Sequence, residues 1–338
     1  MTRVLVSGGA GFLGSHLVDA LLDAGHTVHV FDNYDTGSAF NLLDAHRRGA
    51  RTITGSVTCW PDVDKAFAKV RPEVVYHLAA QIDVTQSVDR PDEDAAVNVQ
   101  GTINVLEACT RHGARRFVQT SSAAVYGHHG SPVTEDTPYR PISPYGASKV
   151  AAQTYADMYD RLSTFRGMLA DDPARAIHAS LTTITVIFGN LYGPRQREGC
   201  GLINIAARAL LRAEPVTLYG DGGNVRDYVW VGDAVQVLIK AGDLDNRQEY
   251  VTVPRRILVG TGTGTTDLGA WNMVAEAVEA TGPEMPLKLA DKLIRYAPAR
   301  PGDIRLSVLP RHDLALMPPR LGVRRVVDAL RKELASHG

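Results

Sequence analysis

Cysteine is scarce in this 338-residue sequence: Cys59, Cys109 and Cys200 are its only three, scattered at no metal-ligand spacing. That argues against a disulfide framework or a cysteine metal centre and fits a reducing, cytoplasmic setting. An excess of one charge is missing too. Lys and Arg number 36 against 37 Asp and Glu, a net −1, which gives no case for a nucleic-acid or anionic-membrane partner. No apolar run approaches the roughly 20 residues that span a bilayer. The first apolar strand begins by residue 3, where a secretory leader would otherwise lie. Internal repeats and low-complexity segments are absent, and His128-His129 has no acidic or cysteine company, so a solvated loop is expected there and no metal site.

What is present is alternation. Strand signals at 3–7, 27–31, 51–54, 73–77 and 115–120 interleave with helix signals at about 12–24, 61–69, 95–112 and 144–161. With 44% apolar residues, this predicts an α/β fold with a Rossmann-like, doubly wound parallel sheet. Strand 182–189 is expected to join the same sheet. Beyond it the pattern loosens around Gly220–Gly223 and Gly260–Gly264, which predicts a smaller mixed α/β substrate-binding region. The expected domains are 1–180 and 190–338, the second interleaved with the first. Segment 163–181, charged and poorly periodic with a proline, reads as an exposed insertion.

The first turn has a specific use. Val4-Leu5-Val6 leads into glycines at 8, 11 and 14 and then a helix. A pyrophosphate fits there because a helix N-terminus offers unpaired N–H groups and partial positive charge. Gly8 permits the tight turn, Gly11 lets backbone approach phosphate, and Gly14 lets the helix pack closely. The second strand ends in Asp32, whose carboxylate can accept from ribose hydroxyls and repel a 2′-phosphate, so NAD is expected over NADP. Residues 1–180 are therefore read as the NAD-binding domain.

Tyr145 and Lys149 stand one helical turn apart. A phenol near pKa 10 is a weak base at neutral pH, but a cation at i+4 stabilises its phenolate. Ser122 follows the strand Phe117-Val118-Gln119, at the carboxyl end where ligands gather in parallel sheets. Its hydroxyl can hydrogen-bond a reacting alcohol. On the pair alone, an ordinary surface Tyr and Lys remains an equal reading, and Ser122 tips the balance toward hydride-transfer chemistry.

With these segments the chain resembles the extended short-chain dehydrogenase/reductases, in the NAD-dependent nucleotide-sugar epimerase/dehydratase family. Its closest likeness is to members resembling UDP-glucose 4-epimerase. The resemblance is carried by Gly8–Gly14, Asp32-Asn33, His77–Gln81, Asn98–Thr102, Ser121–Gly127, Ser143–Lys149, Gly189–Gln196, Arg226–Tyr228 and Arg300–Asp303. It implies 4-epimerisation through a transient 4-keto sugar and bound NADH, with Ser122, Tyr145 and Lys149 catalytic. It implies cofactor contacts from Gly8, Gly11, Phe12, Leu13, Gly14, Asp32, Asn33, Ser56, Val57, Leu78, Ala79, Ala80, Gln81, Asn98 and Thr120, besides Tyr145 and Lys149. Substrate contacts are implied for Ser122, Ala123, Tyr145, Asn190, Arg226, Arg300, Asp303 and Ser307, the two arginines clamping a diphosphate. A homodimer through helices 95–112 and 144–161 is implied as well.

Three departures from the family pattern matter. Ser56 stands where an acidic residue usually meets adenine, which predicts weaker NAD retention. The stretch from Lys149 to Asn190 is lengthened by the insertion. Ser307 replaces a bulky aromatic of glucose-only epimerases, which predicts room for an N-acetyl group at sugar C2. Sugar 4,6-dehydratases carry an Asp-Glu pair just after the Ser/Thr, whereas here Ala123 and Ala124 follow Ser122. A ketoreductase, a decarboxylase and a non-catalytic nucleotide-binding protein remain the other readings.

Overall fold

The computed structural model describes residues 1–129, 133–168, 181–244, 255–282 and 286–335. The chain divides into two compact units. The first is Met1–Val125 with Tyr139–Ile187 and Val235–Ile257, and the second is Tyr126–Pro138 with Phe188–Ala234 and Leu258–Gly338.

The first unit is organised by a seven-stranded sheet. In chain order its strands are β1 (Arg3–Ser7), β2 (Thr27–Asp32), β3 (Arg51–Thr54), β4 (Val74–His77), β5 (Arg116–Ser122), β6 (Thr182–Phe188) and, after three strands of the second unit, β10 (Arg256–Val259). Their spatial order is β10-β6-β5-β4-β1-β2-β3. Strand β1 pairs in parallel with β2 and β4, β2 with β3, and β4 with β5. Helices α1 (Phe12–Asp23), α2 (Leu43–Arg47), α3 (Trp60–Val70), α4 (Val84–Asp89), α5 (Pro91–Ala95), α6 (Gly101–His112) and α7 (Pro144–Met168) connect these strands. Strands buried on both faces explain the near-continuous apolar runs at Val4–Val6 and Val74–Tyr76. Leu5, Phe31, Val63, Phe67, Val75, Leu106 and Phe117 form one core cluster.

The sheet order reverses between β1 and β4. In open α/β sheets that switch point opens a crevice beyond the strand ends. Here the chain closes tightly at the same place: a Cβ on Gly8 would lie 2.5 Å from the Ala79 nitrogen. A polar chain runs through the core beneath it. Thr102 Oγ1 donates to the Asn98 carbonyl at 2.7 Å, so it must accept from His77 Nε2 at 3.0 Å. His77 Nδ1 then accepts from Ser7 Oγ at 2.7 Å. Burial, with the Lys149 charge in support, pushes His77 down to about 3. The imidazole is therefore neutral with its proton on Nε2.

Two sequence expectations need correction here. The helix expected over 95–112 is α5, a wider turn at Ala96–Gln100 and α6. Such π-type turns recur at functional sites, and this one carries Asn98. Segment 163–181 is not wholly an exposed insertion, because α7 continues to Met168. Ser163 is buried and its hydroxyl accepts from the Leu181 amide. Helical backbone there answers to packing that a 3.6-residue periodicity does not display. Residues 169–180 lie outside the described residues.

In the second unit, β9 (Val225–Trp230) is the hub. It pairs in parallel with β7 (Asn190–Tyr192) and β13 (Leu306–Ser307), and antiparallel with β11 (Gly264–Thr266). Strands β8 (Val216–Tyr219) and β12 (Ile294–Ala297) form a parallel pair. Its helices are α8 (Leu202–Arg212), α10 (Asp267–Thr281), α11 (Leu287–Ala290) and α12 (Pro319–Ala335) among the described residues, whereas α9 (Val231–Gly242) belongs from Val235 onward to the first unit.

Candidate active site

The cofactor cradle can be tested on the glycines themselves. Gly8 takes φ +73°, a region that L side chains rarely adopt. A Cβ on Gly14 would fall 2.1 Å from the Gly8 oxygen, whereas one on Gly11 would meet only that oxygen at 3.2 Å. Gly8 therefore serves the close approach of the turn to the loop after β4, Gly14 the close packing of helix on turn, and Gly11 leaves the approach open. No side chain caps the first turn of α1 among the described residues. Its amides are left for an anion. Asp32 Oδ2 accepts from the Ala10 amide at 2.9 Å and Oδ1 from the Tyr34 amide at 2.8 Å. The carboxylate thus fixes the loops around the cradle and keeps lone pairs for ribose hydroxyls. These features fit a dinucleotide.

The other cofactor candidates fall into two groups. Phe12 and Leu13 open α1, and Asn33, whose Oδ1 accepts from the Asp35 amide, follows β2. Leu78, Ala79, Ala80 and Gln81 follow β4 at the switch point. Asn98 holds that loop: its Oδ1 accepts from the Gln81 amide at 2.9 Å and its Nδ2 donates to the Gln81 carbonyl at 3.1 Å. At the edge beyond β3, the Ser56 amide donates to Asp62 at 3.1 Å and its hydroxyl pairs with Thr58 at 2.8 Å. Val57 is packed in the core and its carbonyl accepts from Asn104.

The chemistry-bearing residues come together at the ends of β5 and α7. Ser143 Oγ accepts from the Gly146 amide at 3.1 Å, opening the helix as an N-terminal cap would. Gly146 is required by contact: its Cβ would sit 2.7 Å from the Ala124 carbonyl. That close approach sets Tyr145 beside Ser122. Ser122 Oγ also accepts from the Ala124 amide at 3.2 Å. Lys149 donates to the Thr120 carbonyl at 3.3 Å, and its Nζ lies 5.9 Å from the Tyr145 ring centre. Burial pushes the phenol up to about 12, against the easing effect of Ser122. Burial also lowers the Lys149 ammonium to about 8. Ala123 is buried directly after Ser122.

In the second unit, pairing on β9 gathers the substrate candidates by register. Ser307 stands opposite Arg226, and Asn190 opposite Tyr228. Arg226 donates to the Ile304 carbonyl at 2.5 Å. Arg300 stacks 4.3 Å over the Tyr219 ring, and its guanidinium forks onto Asp303 at 3.2 and 3.3 Å. Its partner is thus a carboxylate that a diphosphate would have to displace or share.

Sequence reasoning missed two buried carboxylates. Asp227, inside the Arg-Asp-Tyr motif, accepts from Thr261 (amide at 2.9 Å, hydroxyl at 2.5 Å), the Gly262 amide (3.2 Å) and the Leu309 amide (3.3 Å). It ties β9 to two loops next to Arg226. Asp94 is the second, beside Asn98 and Ser148. Acidic residues four before and one after recognisable motif positions were the only signal, and neither shows its burial. Among the described residues no group of three His, Cys, Asp or Glu could hold a metal ion. None of their helices is long and apolar enough to cross a membrane.

Comparison with known proteins shows the family. Residues 4–253 match the model of the NAD dependent epimerase/dehydratase family. A UDP-glucose 4-epimerase of Mycolicibacterium smegmatis is 37% identical over 91% of this chain and 89% of its own. The Thermus thermophilus UDP-glucose 4-epimerase, solved with NAD, superposes with a TM-score of 0.80 at 35% identity, covering 97% of this chain and 99% of that one. The Thermotoga maritima enzyme, solved with UDP-glucose, gives 0.80 at 31% identity over 98% and 99%. Proteins named as a dTDP-glucose 4,6-dehydratase and a nucleotide-sugar decarboxylase match too. With its cradle, its parallel sheet and the matched span in agreement, the chain belongs to the NAD-dependent epimerase/dehydratase family.

Proposed function

We propose that this protein is a nucleotide-sugar 4-epimerase, acting on a UDP-hexose through a transient 4-keto sugar. The observation that carries this reading is the Ser122–Tyr145–Lys149 set followed by Ala123 and Ala124. A dehydratase needs an acid to expel the C6 hydroxyl, and the two positions directly after Ser122 carry no carboxylate.

NAD, held by the Gly8–Gly14 cradle and Asp32, would supply the hydride acceptor and donor for C4 of the sugar. Tyr145 takes the proton of the sugar 4-hydroxyl and gives it back after the keto sugar has turned over. Ser122 hydrogen-bonds the same oxygen and holds it in reach of Tyr145. Lys149 supplies the positive charge that makes phenolate accessible. Arg226 and Arg300 hold the diphosphate by their planar forks, Asn190 contacts it, and Asp303 meets the nucleotide ribose. Residues 1–180 serve the cofactor and 190–338 chiefly the nucleotide sugar.

We also propose a homodimer. Tyr155, Met158, Leu162 and Phe165 form an exposed stripe at helical spacing on α7, with Phe165 60% exposed. Such a stripe is the usual mark of an association surface. Light scattering on the purified protein should give twice the chain mass, and Leu162→Asp should shift it to the monomer.

The activity is tested by incubating the protein, without added cofactor and then with NAD, with UDP-glucose and following proton NMR. Appearance of the galacto epimer supports the reading. Loss of water to a 4-keto-6-deoxy product, or no change with any UDP-hexose, overturns it.

A further inference from the structure

Asp94 lies at the end of α5 and is only 1% exposed. A carboxylate so placed is costly unless it is paired or hydrogen-bonded. Its Oδ1 accepts from Gln81 Nε2 and Asn98 Nδ2, both at 3.0 Å. Both donors are amide nitrogens that can only donate. Its Oδ2 is buried without a hydrogen-bond partner among the described residues. Asn98 reaches onward: the two hydrogens of its Nδ2 are shared among the Gln81 carbonyl, Asp94 and Ser148 Oγ, the last at 3.1 Å, and Ser148 donates to the Tyr145 carbonyl at 3.0 Å. One carboxylate thus stands behind the loop that follows β4 and behind the helical turn that carries Tyr145 and Lys149.

The charges around Lys149 are few. Tyr145 faces it from its own helix, Asp94 from α5 and His77 from β4, and β5 offers the uncharged Thr120 carbonyl. His77 is fixed as the neutral tautomer between Ser7 and Thr102. Asp94 is therefore the charge that opposes the desolvation of Lys149. Burial pushes Asp94 itself up, and Ser148, Lys149, Gln81 and Asn98 pull it back toward the carboxylate.

We propose that Asp94 is an electrostatic positioning residue of this site, its buried charge balancing the Lys149 ammonium while Asn98 couples it to the Tyr145–Lys149 turn. This rests on the reading of Tyr145 and Lys149 as the proton-transfer pair. Removing the charge makes Lys149 lose its proton at lower pH, so the alkaline limb of kcat moves down.

The test uses the full chain with NAD, carrying Asp94→Asn, whose amide keeps the Oδ1 acceptor. The Lys149 ionisation is read directly from the carbon-13 shift of its ε-methylene, assigned with Lys149→Met, and kcat is followed against pH. Asp94→Asn should lower the Lys149 midpoint by about one pH unit and move the alkaline limb of kcat with it. Asp94→Glu should restore both. An unchanged Lys149 midpoint overturns the proposal, as does a uniform loss of kcat at every pH, which marks a merely structural role. Should Asp94→Asn not fold, Asp94→Ser removes the same charge and is read the same way. The methylene shift does not depend on turnover, so absent epimerisation would sink the functional reading without touching this result.

Discussion

Lys149 Nζ lies 5.9 Å from the centre of the Tyr145 ring, and burial brings their acidities toward an inverted order, the phenol at about 12 and the ammonium at about 8. On raising the pH of the cofactor-free protein, the first proton lost therefore leaves Lys149. The difference spectrum between wild type and Tyr145→Phe should show no phenolate band at about pH 9. Adding NAD, whose nicotinamide is positive, should bring the band in. A band already present without NAD would show that Ser122 and Lys149 suffice to ionise Tyr145.

On the proposed mechanism, replacing Tyr145 by Phe removes the proton acceptor and only one hydroxyl beside Ser122. The kcat for UDP-glucose should fall by about 10²–10⁴, the usual worth of general acid–base catalysis. NAD affinity, measured by calorimetry, should stay close to wild type. Turnover surviving the change would move the base elsewhere.

Two glycines of one motif should respond differently. Gly14→Ala forces a Cβ into backbone 2.1 Å away, whereas Gly11→Ala meets one oxygen at 3.2 Å. Overpacking costs about 1–3 kcal/mol, so Gly14→Ala should lower Tm and NAD binding together. Gly11→Ala should keep its Tm and lose mainly NAD affinity. Equal melting temperatures for the two variants would contradict the division of labour.

The contrast also shows what could be read before the fold. Glycine spacing, the apolar alternation and the i, i+4 pair are local signals, and the strands at 3–7 and 51–54 and the Ser122–Tyr145–Lys149 cluster follow from them. Long-range partners leave no such trace. Asp94 is 13 residues from Gln81, and Asp227 is 34 and 82 from Thr261 and Leu309. Nothing near them in sequence distinguishes a buried carboxylate from a solvated one. The continuation of α7 past residue 161 was hidden for a related reason. Its exposed apolar stripe and the buried Ser163 obscure the one-sided pattern that a surface helix presents.

Asp227 gives the sharpest test of a hidden role. Its two oxygens accept four hydrogen bonds, all from donors with no acceptor to offer in return except the Thr261 hydroxyl. Asparagine is therefore no conservative change, because one end of its amide would face N–H groups. Asp227→Asn should destabilise by about 3–5 kcal/mol, as breaking a buried charged network does. Urea unfolding measures it, and a loss below about 1 kcal/mol, the scale of a single net hydrogen bond, would show that the two loops are held by other means.

The role proposed for Ser307 in sugar choice is open to a direct test. Ser307 is buried in β13, in register with Arg226 on β9, and its side chain takes up far less volume than an aromatic would. If that volume accepts the sugar C2 substituent, wild type should epimerise UDP-N-acetylglucosamine with kcat/KM within about tenfold of UDP-glucose, since a well-accommodated group costs little. Ser307→Tyr should then lose the N-acetyl substrate by a further factor of about 10–200 while keeping UDP-glucose. Its Tm must be checked, because an aromatic in a tight site can also strain the sheet. Strong exclusion of UDP-N-acetylglucosamine by wild type would mean that another side chain fills the space beside C2.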